Sequence, residues 1–440
     1  MSAAVDPGAS SPGDPEARFR ALQIEGGVPL RGRVKISGSK NAALPIMAAA
    51  LLSRDACRLT NVPRVADVEN MAAILEEIGV KVERERLHGD RLTLTAAGSI
   101  SSDVPQERAR RMRASILFMG PLLARTGRAV LPKPGGDDIG MRRVDQHVFG
   151  LVQMGAKVEE QEGLFICTAR RLKGAEIQLD VPTVTGTENL LMAAVTAEGR
   201  TTIRNAAREP HVEDLCRALV RMGAQIGGLG TDRIEIRGVD ELQGLTHHII
   251  SDYLEAGTYA IAAAATNGQV AMIDCPIGDL RGLILKLRAA GVVIEIGEGR
   301  VEVRRGPHLR AIDLTTCYHP GIATDLQPQY TALMTQAEGT AVVQEFLFED
   351  RFKHIPGLNA LGASIDLHPH GRSVAVHGPS PLTGTPLSVP DIRSGAALLI
   401  GGLAAGGLTR IDRVDRLERG YEDFAGKLSG LGARLKEIAA

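Results

Sequence analysis

The sequence is poor in aromatic residues and has almost no charge imbalance. Aromatic residues make up 3% of the 440 positions and Trp is absent, although the hydrophobic fraction is 44%. A core must therefore be built mainly from Ala, Val, Ile and Leu. The 51 basic residues nearly balance the 52 acidic ones. This balance argues against a protein that binds nucleic acid or an anionic membrane, since such proteins carry a basic excess.

Cysteine is also scarce. The five cysteines, which form no C-x-x-C pair, are Cys57, Cys167, Cys216, Cys275 and Cys317. This spacing is typical of buried thiols in a reducing compartment. No apolar run is long enough to span a membrane, and the N-terminus lacks the layout of a signal peptide. We therefore expect a cytoplasmic protein with no membrane insertion and a disordered tail over residues 1–18.

A pattern of helix, glycine, small residue and β-branched run recurs six times. Its glycines are Gly79, Gly155, Gly223, Gly291, Gly362 and Gly432, separated by 76, 68, 68, 71 and 70 residues. Each fits the position just after a helix, where a positive φ is favoured. Ala-rich segments such as residues 189–196 and 258–266 predict helices that are buried on all sides. A chain of this length is expected to form two domains, so the units divide most simply as three and three.

The segment most indicative of chemistry is residues 134–142, with the sequence PGGDDIGMR. Its adjacent glycines let the backbone bend sharply and approach a ligand closely. Asp137 lies at the tip of this loop, five residues before Arg142. An acid beside fixed positive charge is what proton transfer on an anionic substrate requires. The alternative is an ordinary surface turn, in which Gly-Gly-Asp is common.

Lys40 and Asp325 are further candidates, since each precedes a predicted helix. Lys40, in SGSKN, stands before an apolar helix over residues 42–52 with Pro45 in its first turn. Free N–H groups, the helix dipole and the ammonium group would together favour an anion. The alternative is a solvent-exposed lysine. Asp325 precedes a helical run over residues 330–336, where the alternative is an N-cap.

Several arginines also stand close to predicted helix starts or in polar loops. Arg113 and Arg393 each lead into an apolar stretch, whereas Arg351 and Arg419 lie in more polar segments. Because repeated units offer equivalent helix starts several times over, we expect these arginines to form a cluster in a central cleft.

These motifs, in this order and at this spacing, resemble the UDP-N-acetylglucosamine 1-carboxyvinyltransferases. The resemblance begins near Leu22 and rests on SGSKNAALP (37–45), MRAS (112–115), PGGDDIG (134–140), VDxH (144–147), TEN (187–189), NAAREP (205–210), EAGT (255–258), TDLQ (324–327), EDRFKH (349–354) and RGYE (419–422). It implies an α/β fold, the two-domain inside-out α/β barrel of enolpyruvyl transferases, in which each domain has three βαβαββ repeats and helices fill the interior. The domains would be residues 40–248, with the catalytic loop, and residues 20–39 plus 249–440, with the active site between them.

The resemblance implies transfer of the enolpyruvyl group of phosphoenolpyruvate to the 3′-hydroxyl of UDP-N-acetylglucosamine, by addition and elimination, without a metal or organic cofactor. Asp325 would accept the hydroxyl proton and Asp137 would protonate the methylene carbon, with Lys40 and Arg419 as further catalytic residues. The implied phosphoenolpyruvate ligands are Lys40, Asn41, Arg142 and Arg419. The implied UDP-N-acetylglucosamine ligands are Asn41, Arg113, Arg142, Arg143, Val144, Asp145, Gln146, Thr183, Val184, Thr185, Asp325 and Leu347. Arg351 and Arg393 would be additional arginines of the cleft.

The sequence departs from the family pattern at several positions. Asp137 stands where most members have Cys, and the resemblance then implies insensitivity to fosfomycin, because a carboxylate cannot form the inhibitor's thioether adduct. Arg143 replaces a usual Pro, Thr185-Gly186 stands where Gly-Ala is common, and Tyr253 stands where Arg is frequent.

Two other functions are compatible with parts of the pattern. The sister enolpyruvyl transferase that acts on shikimate 3-phosphate shares the fold, but it usually has Ser where this chain has Asn41 and it lacks the VDxH run. A nucleotide-sugar-binding protein without catalysis would account for the departures. Against that function, both proton-transfer positions are acidic and the anion-binding residues are present.

Overall fold

The computed structural model describes residues 20–85 and 89–439, so the tail predicted over residues 1–18 lies outside the described residues. The strands are β1 (Arg20–Glu25), β2 (Arg31–Lys35), β3 (Ala56–Thr60), β4 (Lys81–Arg84), β5 (Leu92–Thr95), β6 (Arg128–Pro132), β7 (Lys157–Gln161), β8 (Leu164–Thr168), β9 (Glu176–Gln178), β10 (Arg200–Arg204), β11 (Gln225–Gly227), β12 (Arg233–Arg237), β13 (Thr246–His248), β14 (Gln269–Ile273), β15 (Val292–Gly297), β16 (Arg300–Arg305), β17 (Leu314–Thr315), β18 (Gly339–Gln344), β19 (Ser364–Leu367), β20 (Ser373–Gly378), β21 (Pro386–Ser388), β22 (Leu408–Asp412) and β23 (Arg434–Ala439).

The helices alternate with these strands along the chain. They are α1 (Lys40–Ala49), α2 (Ala66–Glu77), α3 (Gln106–Ala109), α4 (Met119–Thr126), α5 (Asp145–Gln153), α6 (Val184–Ala194), α7 (Pro210–Arg221), α8 (Tyr253–Ala265), α9 (Arg281–Ala289), α10 (Gln327–Met334), α11 (Ile355–Ala360), α12 (Ile392–Ala404) and α13 (Phe424–Gly430). Short 3-10 helices lie at Ala50–Leu52, Arg113–Phe118, Ile277–Leu280, Thr324–Leu326 and Val414–Arg419. Across the described residues, no helix has both the length and the apolar character needed to cross a membrane.

One strand arrangement is repeated in all of the small sheets. Within the described residues, five sheets have four strands in the same order: a parallel edge strand, two central strands and an antiparallel edge strand, as in β2-β14-β16-β15. The sheet β6-β8-β7 has three strands, and its parallel edge is reduced to a bridge between Asp103 and Val130. The predicted six-fold repeat is thereby confirmed.

The six glycines that define the repeat each lie at the end of a helix, as predicted. All six have a positive φ, from 88° at Gly155 and Gly432 to 106° at Gly79. A side chain is strained in this conformation, so glycine is the favoured residue at each turn. The chain then enters the antiparallel edge strand of each unit, such as β4 after Gly79 or β7 after Gly155.

The helices that contain many small residues lie in the interior, as the inside-out arrangement requires. Every residue of α8 and of α10 is buried, and these two helices pack on each other and on α12. Helices α6 and α8 begin five residues earlier than the predicted segments because Thr183 and Asp252 cap their N-termini. Similarly, α1 begins at Lys40 after the cap Ser39, so Pro45 lies inside the helix and not in its first turn.

Buried apolar side chains form two clusters. The first extends from Ala42 to Ile249, whereas the second combines residues 22–36 with residues 253–433. The chain passes between the clusters twice, and the two passing segments are paired. Ser39 N donates to Ile250 O at 2.7 Å, and Asp252 N donates to Ser37 O at 2.8 Å. Because of this pairing, the N-termini of α1 and α8 border the same cleft.

Helices α4 and α6 pack so closely at Gly120 that we expect a larger side chain there to destabilise the protein. A Cβ atom at this position would lie 2.3 Å from the carbonyl oxygen of Asn189 in α6. Gly120→Ala should therefore lower the free energy of unfolding by about 1–3 kcal/mol, although alanine has the higher helix propensity. Chemical denaturation measures the change. Gly98→Ala is the control, because nothing lies within 4 Å of a Cβ atom there, and equal stability of the two variants would contradict the prediction.

Candidate active site

The cleft between the two clusters contains almost all of the predicted site residues. Those that line it are Lys40, Asn41, Arg113, Asp137, Arg142, Arg143, Asp145, Gln146, Thr183, Val184, Thr185, Asp325, Leu347, Arg351, Arg393 and Arg419. The side chain of Val144 instead packs against the first apolar cluster. Residues that are far apart in the sequence thus meet in one space, and the expected arginine cluster is present.

A chain of alternating charges crosses the cleft. Lys40 Nζ lies 3.1 Å from Asp67 Oδ2, and Arg419 Nε lies 3.1 Å from Asp67 Oδ1. Arg419 Nη1 in turn lies 2.6 Å from Asp137 Oδ1. Burial would raise the pKa of Asp67, but Lys40 and Arg419 outweigh that effect and lower it. Lys40 is itself buried, so the alternative of a solvent-exposed lysine is wrong.

Among these charged residues, Asp67 is the one whose place in the cleft no local sequence pattern predicts. It lies in the first turn of α2, where an acidic residue is common because it complements the helix dipole. Its partner Arg419 is 352 residues away in the sequence. A contact over that separation can be seen only once the fold brings the two elements together.

The loop at residues 134–142 turns Asp137 into the cleft and its neighbour outward. The side chain of Asp137 is 17% exposed, compared with 84% for Asp138. The backbone packs closely here, since a Cβ atom at Gly135 would lie 1.8 Å from the carbonyl oxygen of Arg110. An ordinary surface turn would leave room at such a position. The alternative of a surface turn is therefore wrong for the inward half of the loop.

The same loop is attached to the opposite side of the cleft. Asp350 N donates to Ile139 O at 3.2 Å, and Lys353 Nζ donates to Asp138 Oδ2 at 2.8 Å. Both donors belong to the EDRFKH segment, which follows β18. These contacts hold the loop over the cleft and so fix the position of Asp137.

Asp325 is bound by two arginines. Arg351 Nη2 donates to its Oδ1 at 2.6 Å, and Arg393 Nε donates to its Oδ2 at 3.0 Å. Burial would raise the pKa of Asp325, but Arg393 and Arg351 outweigh burial and hold that pKa well below its usual range. Both guanidinium groups are buried. Asp325 lies in a 3-10 helix and accepts from these side chains, so the N-cap alternative is wrong.

A second group of basic residues shapes the wall near the loop. Arg113 donates to the carbonyl oxygen of Arg142 and, at 3.4 Å, to that of Arg143. Burial, assisted by the charge of Arg142, lowers the pKa of Arg113 to about 10. The guanidinium carbon of Arg142 lies 6.0 Å from the centre of the Phe348 ring. Arg113 therefore supports the turn that presents Arg142 to the cleft.

The N-terminus of α6 faces the same wall. Thr183 Oγ1 accepts a hydrogen bond from Gly186 N at 3.3 Å and caps the helix. The first N–H groups of a helix lack partners within it, and together with the dipole they favour an anion such as a phosphate. Because Thr183, Val184 and Thr185 line the cleft, this end of α6 can contact a ligand there.

Four buried polar residues also line the cleft, and sequence reasoning gave them no role. Burial, with a contribution from Glu209, raises the pKa of Glu188 well above its ordinary value. Burial also raises the pKa of Glu209. The rings of His211 and Tyr253 are stacked, with centres 6.5 Å apart. Glu188 and Glu209 lie in the TEN and NAAREP motifs, so those motifs were the available signal.

Among the described residues, no group of three His, Cys, Asp or Glu side chains is arranged to hold a metal ion.

Comparisons with known proteins identify the family. The family model described as EPSP synthase (3-phosphoshikimate 1-carboxyvinyltransferase) matches residues 24–428. The chain is 48% identical over 416 residues to the UDP-N-acetylglucosamine 1-carboxyvinyltransferase of Sorangium cellulosum (strain So ce56), covering 94% of this chain and 97% of that protein. It is 47% identical over 417 residues to the protein of the same name from Solibacter usitatus (strain Ellin6076), covering 94% and 99%.

Solved structures show the same fold. The enolpyruvyl transferase NikO from Streptomyces tendae has a TM-score of 0.87 at 25% identity, covering 96% of this chain and 99% of that one. An EPSP synthase from Acinetobacter baumannii has a TM-score of 0.74 at 18% identity, covering 95% and 100%. With this fold, these motifs and near-complete coverage of its relatives, the chain belongs to the EPSP synthase family and, within it, to the UDP-N-acetylglucosamine 1-carboxyvinyltransferases.

Proposed function

We propose that this protein transfers the enolpyruvyl group of phosphoenolpyruvate to the 3′-hydroxyl of UDP-N-acetylglucosamine in the cytoplasm and releases phosphate, as the first committed step of peptidoglycan synthesis. The observation that supports this function most directly is that the carboxyl groups of Asp137 and Asp325 line one cleft together with the arginine cluster. We further propose that the cleft separates two domains, residues 40–248 and residues 20–39 plus 249–440.

Phosphoenolpyruvate would bind where Lys40, Arg142 and Arg419 converge. Its phosphate and carboxylate need several cationic donors at fixed positions, because charge-assisted hydrogen bonds are strong where water is excluded. Asp67 holds Lys40 and Arg419 on either side of its carboxylate. An ammonium group has three N–H donors and a guanidinium group has five, so both cations retain donors for the substrate. Asn41, the second residue of α1, lies beside this site.

UDP-N-acetylglucosamine would occupy the wall formed by Arg113, the segment at residues 142–146 that leads into α5, and the N-terminus of α6. The diphosphate would accept from backbone N–H groups at residues 183–185 and from Arg142. Leu347 lines the opposite side of the cleft. The sugar would then point towards Asp325, whose carboxylate is fixed by Arg351 and Arg393.

In the addition step, the 3′-oxygen would attack C2 of phosphoenolpyruvate while C3 receives a proton. Asp325 is ionised and would accept the hydroxyl proton, whereas Asp137 would supply the proton to C3. Because two arginines stabilise the Asp325 carboxylate, it is a weak base, and we infer that proton transfer accompanies formation of the C–O bond.

Elimination would then restore the double bond. Asp137, now a carboxylate, would take back a proton from the new methyl group as the C–O bond to phosphate breaks, which gives the enolpyruvyl ether. The proton held by Asp325 would pass to the released inorganic phosphate. Arg419 contacts Asp137 at 2.6 Å and would also contact the departing phosphate. One guanidinium group can thus stabilise negative charge on both the acid and the leaving group.

Steady-state phosphate release with each acceptor tests the proposed function. Turnover is expected with phosphoenolpyruvate and UDP-N-acetylglucosamine, and mass spectrometry should identify the enolpyruvyl ether as product. Turnover with shikimate 3-phosphate alone would favour the sister activity. Binding of the UDP-sugar without turnover of either acceptor would favour a nucleotide-sugar-binding protein.

Asp137→Ala should abolish turnover while leaving UDP-N-acetylglucosamine binding intact, because it removes the proposed proton donor to C3. A loss of about 100-fold or more in kcat is expected for a proton-transfer group, with the dissociation constant of the UDP-sugar measured by calorimetry. Asp138→Ala is the matched control, since it removes only an exposed ion pair with Lys353 and keeps the hydrogen bond from Lys353 Nζ to the backbone carbonyl oxygen of residue 138. An Asp137→Ala enzyme as active as the control would remove Asp137 from the mechanism.

Fosfomycin should form no covalent adduct with this protein, because the loop presents the carboxyl group of Asp137 where a thiol would be needed. Intact-protein mass spectrometry after incubation with fosfomycin and UDP-N-acetylglucosamine measures the adduct. Asp137→Cys is the positive control and should gain the mass of one inhibitor molecule. An adduct on the unmodified chain would contradict the prediction, and this includes an adduct on Cys317, whose thiol lines the same cleft.

A further inference from the structure

A chain of hydrogen bonds leads from the interior of the first apolar cluster to the wall of the cleft. It begins at Asn189 in α6, whose side-chain orientation is fixed by two backbone groups. Asn189 Oδ1 accepts from Gly120 N at 2.8 Å, and Asn189 Nδ2 donates to Ile116 O at 2.9 Å. Because a backbone N–H can only donate and a carbonyl can only accept, the amide cannot be reversed.

The orientation of Asn189 determines which nitrogen of His147 carries a proton. Asn189 Nδ2 lies 3.0 Å from His147 Nδ1 and must be the donor, so Nδ1 is the acceptor. Burial, with a contribution from the charge of Arg113, lowers the pKa of His147 to about 3, so its ring is neutral near neutral pH. A neutral ring with an unprotonated Nδ1 carries its hydrogen on Nε2.

His147 therefore determines whether the hydroxyl group of Thr185 accepts or donates in the hydrogen bond between them. His147 Nε2 lies 3.1 Å from Thr185 Oγ1 and must donate to it. The hydroxyl group then has one lone pair occupied and its own hydrogen available. Thr185 is half-buried and lines the cleft at the second residue of α6. Its hydroxyl lies beside the first backbone N–H groups of that helix.

We propose that the Thr185 hydroxyl donates a hydrogen bond to a diphosphate oxygen of the UDP-sugar, and that His147 is the positioning residue that orients it. The proposal rests on the proposed function. The Thr185 hydroxyl and the free N–H groups at the start of α6 would form one cradle of donors for the same phosphate.

Thr185→Val tests the donor, since it keeps the shape of the side chain and removes the hydroxyl. Calorimetry should show that UDP and UDP-N-acetylglucosamine both bind about tenfold more weakly, the effect of losing one hydrogen bond to a charged group. Thr185→Ser, which retains the hydroxyl, should bind within about twofold of the unmodified protein. Unchanged binding by Thr185→Val would overturn the proposal. Weakened binding of UDP-N-acetylglucosamine with unchanged binding of UDP would also overturn it, because the acceptor would then lie outside the diphosphate.

A double-mutant cycle tests the positioning role of His147. His147→Leu should weaken UDP binding in the unmodified protein but have no further effect in the Thr185→Val background, because the hydroxyl that it orients is gone. His147→Gln should restore part of the affinity, since its amide can accept from Asn189 and donate to Thr185. Equal effects of His147→Leu in both backgrounds would show a merely structural role and contradict the positioning claim.

Binding of UDP is measured without turnover, so this test fails separately from the proposed function. An unmodified protein that binds UDP but does not transfer the enolpyruvyl group would refute the proposed activity. Thermal unfolding of each variant identifies any loss of folded protein. Thr185→Val is the informative variant even if His147→Leu does not fold, since its substitution is confined to the wall of the cleft.

Discussion

The site depends on one guanidinium group shared between two carboxylates. Arg419 binds Asp67 through Nε and Asp137 through Nη1, so it joins α2, the loop at residues 134–142 and the 3-10 helix at Val414–Arg419. Arginine suits this position because its donors lie in a fixed plane and can serve two partners at once. Removing either carboxylate would leave a partly buried cation with fewer partners, which is costly. The contact therefore links α2 and the 3-10 helix to the position of Asp137, the proposed proton donor.

The fold makes such contacts possible by bringing the N-termini of buried helices to one cleft. Helices α1, α6 and α8 are rich in small residues and buried on nearly all sides, so their unpaired N–H groups can only face a cavity or a capping side chain. Repetition of one strand and helix unit places these ends around the same space. The basic side chains and helix N-termini of the cleft thus come from elements that are distant in the sequence.

Much of the architecture was predictable because it follows from local sequence patterns. The helix-ending glycines, the interior helices and the motif residues of the loop each follow from spacing or composition, and the structure places them as expected. The sequence did not predict the position of Asp67 in the cleft or the opposite directions of the Asp137 and Asp138 side chains. These features depend on partners that lie hundreds of residues away. The hydrogen-bond chain through His147 was equally hidden, since its direction follows from the backbone partners of Asn189.

The most direct test of the central claim is the kinetics of Arg419→Lys. Lysine keeps the positive charge but cannot serve Asp67, Asp137 and a substrate phosphate in one plane. We predict that kcat/KM for phosphoenolpyruvate falls by about 100-fold, corresponding to the loss of two charge-assisted hydrogen bonds, while the dissociation constant of UDP-N-acetylglucosamine changes little. Arg416→Lys in the same 3-10 helix is the control. An Arg419→Lys enzyme with the kcat/KM of the unmodified protein would contradict the account.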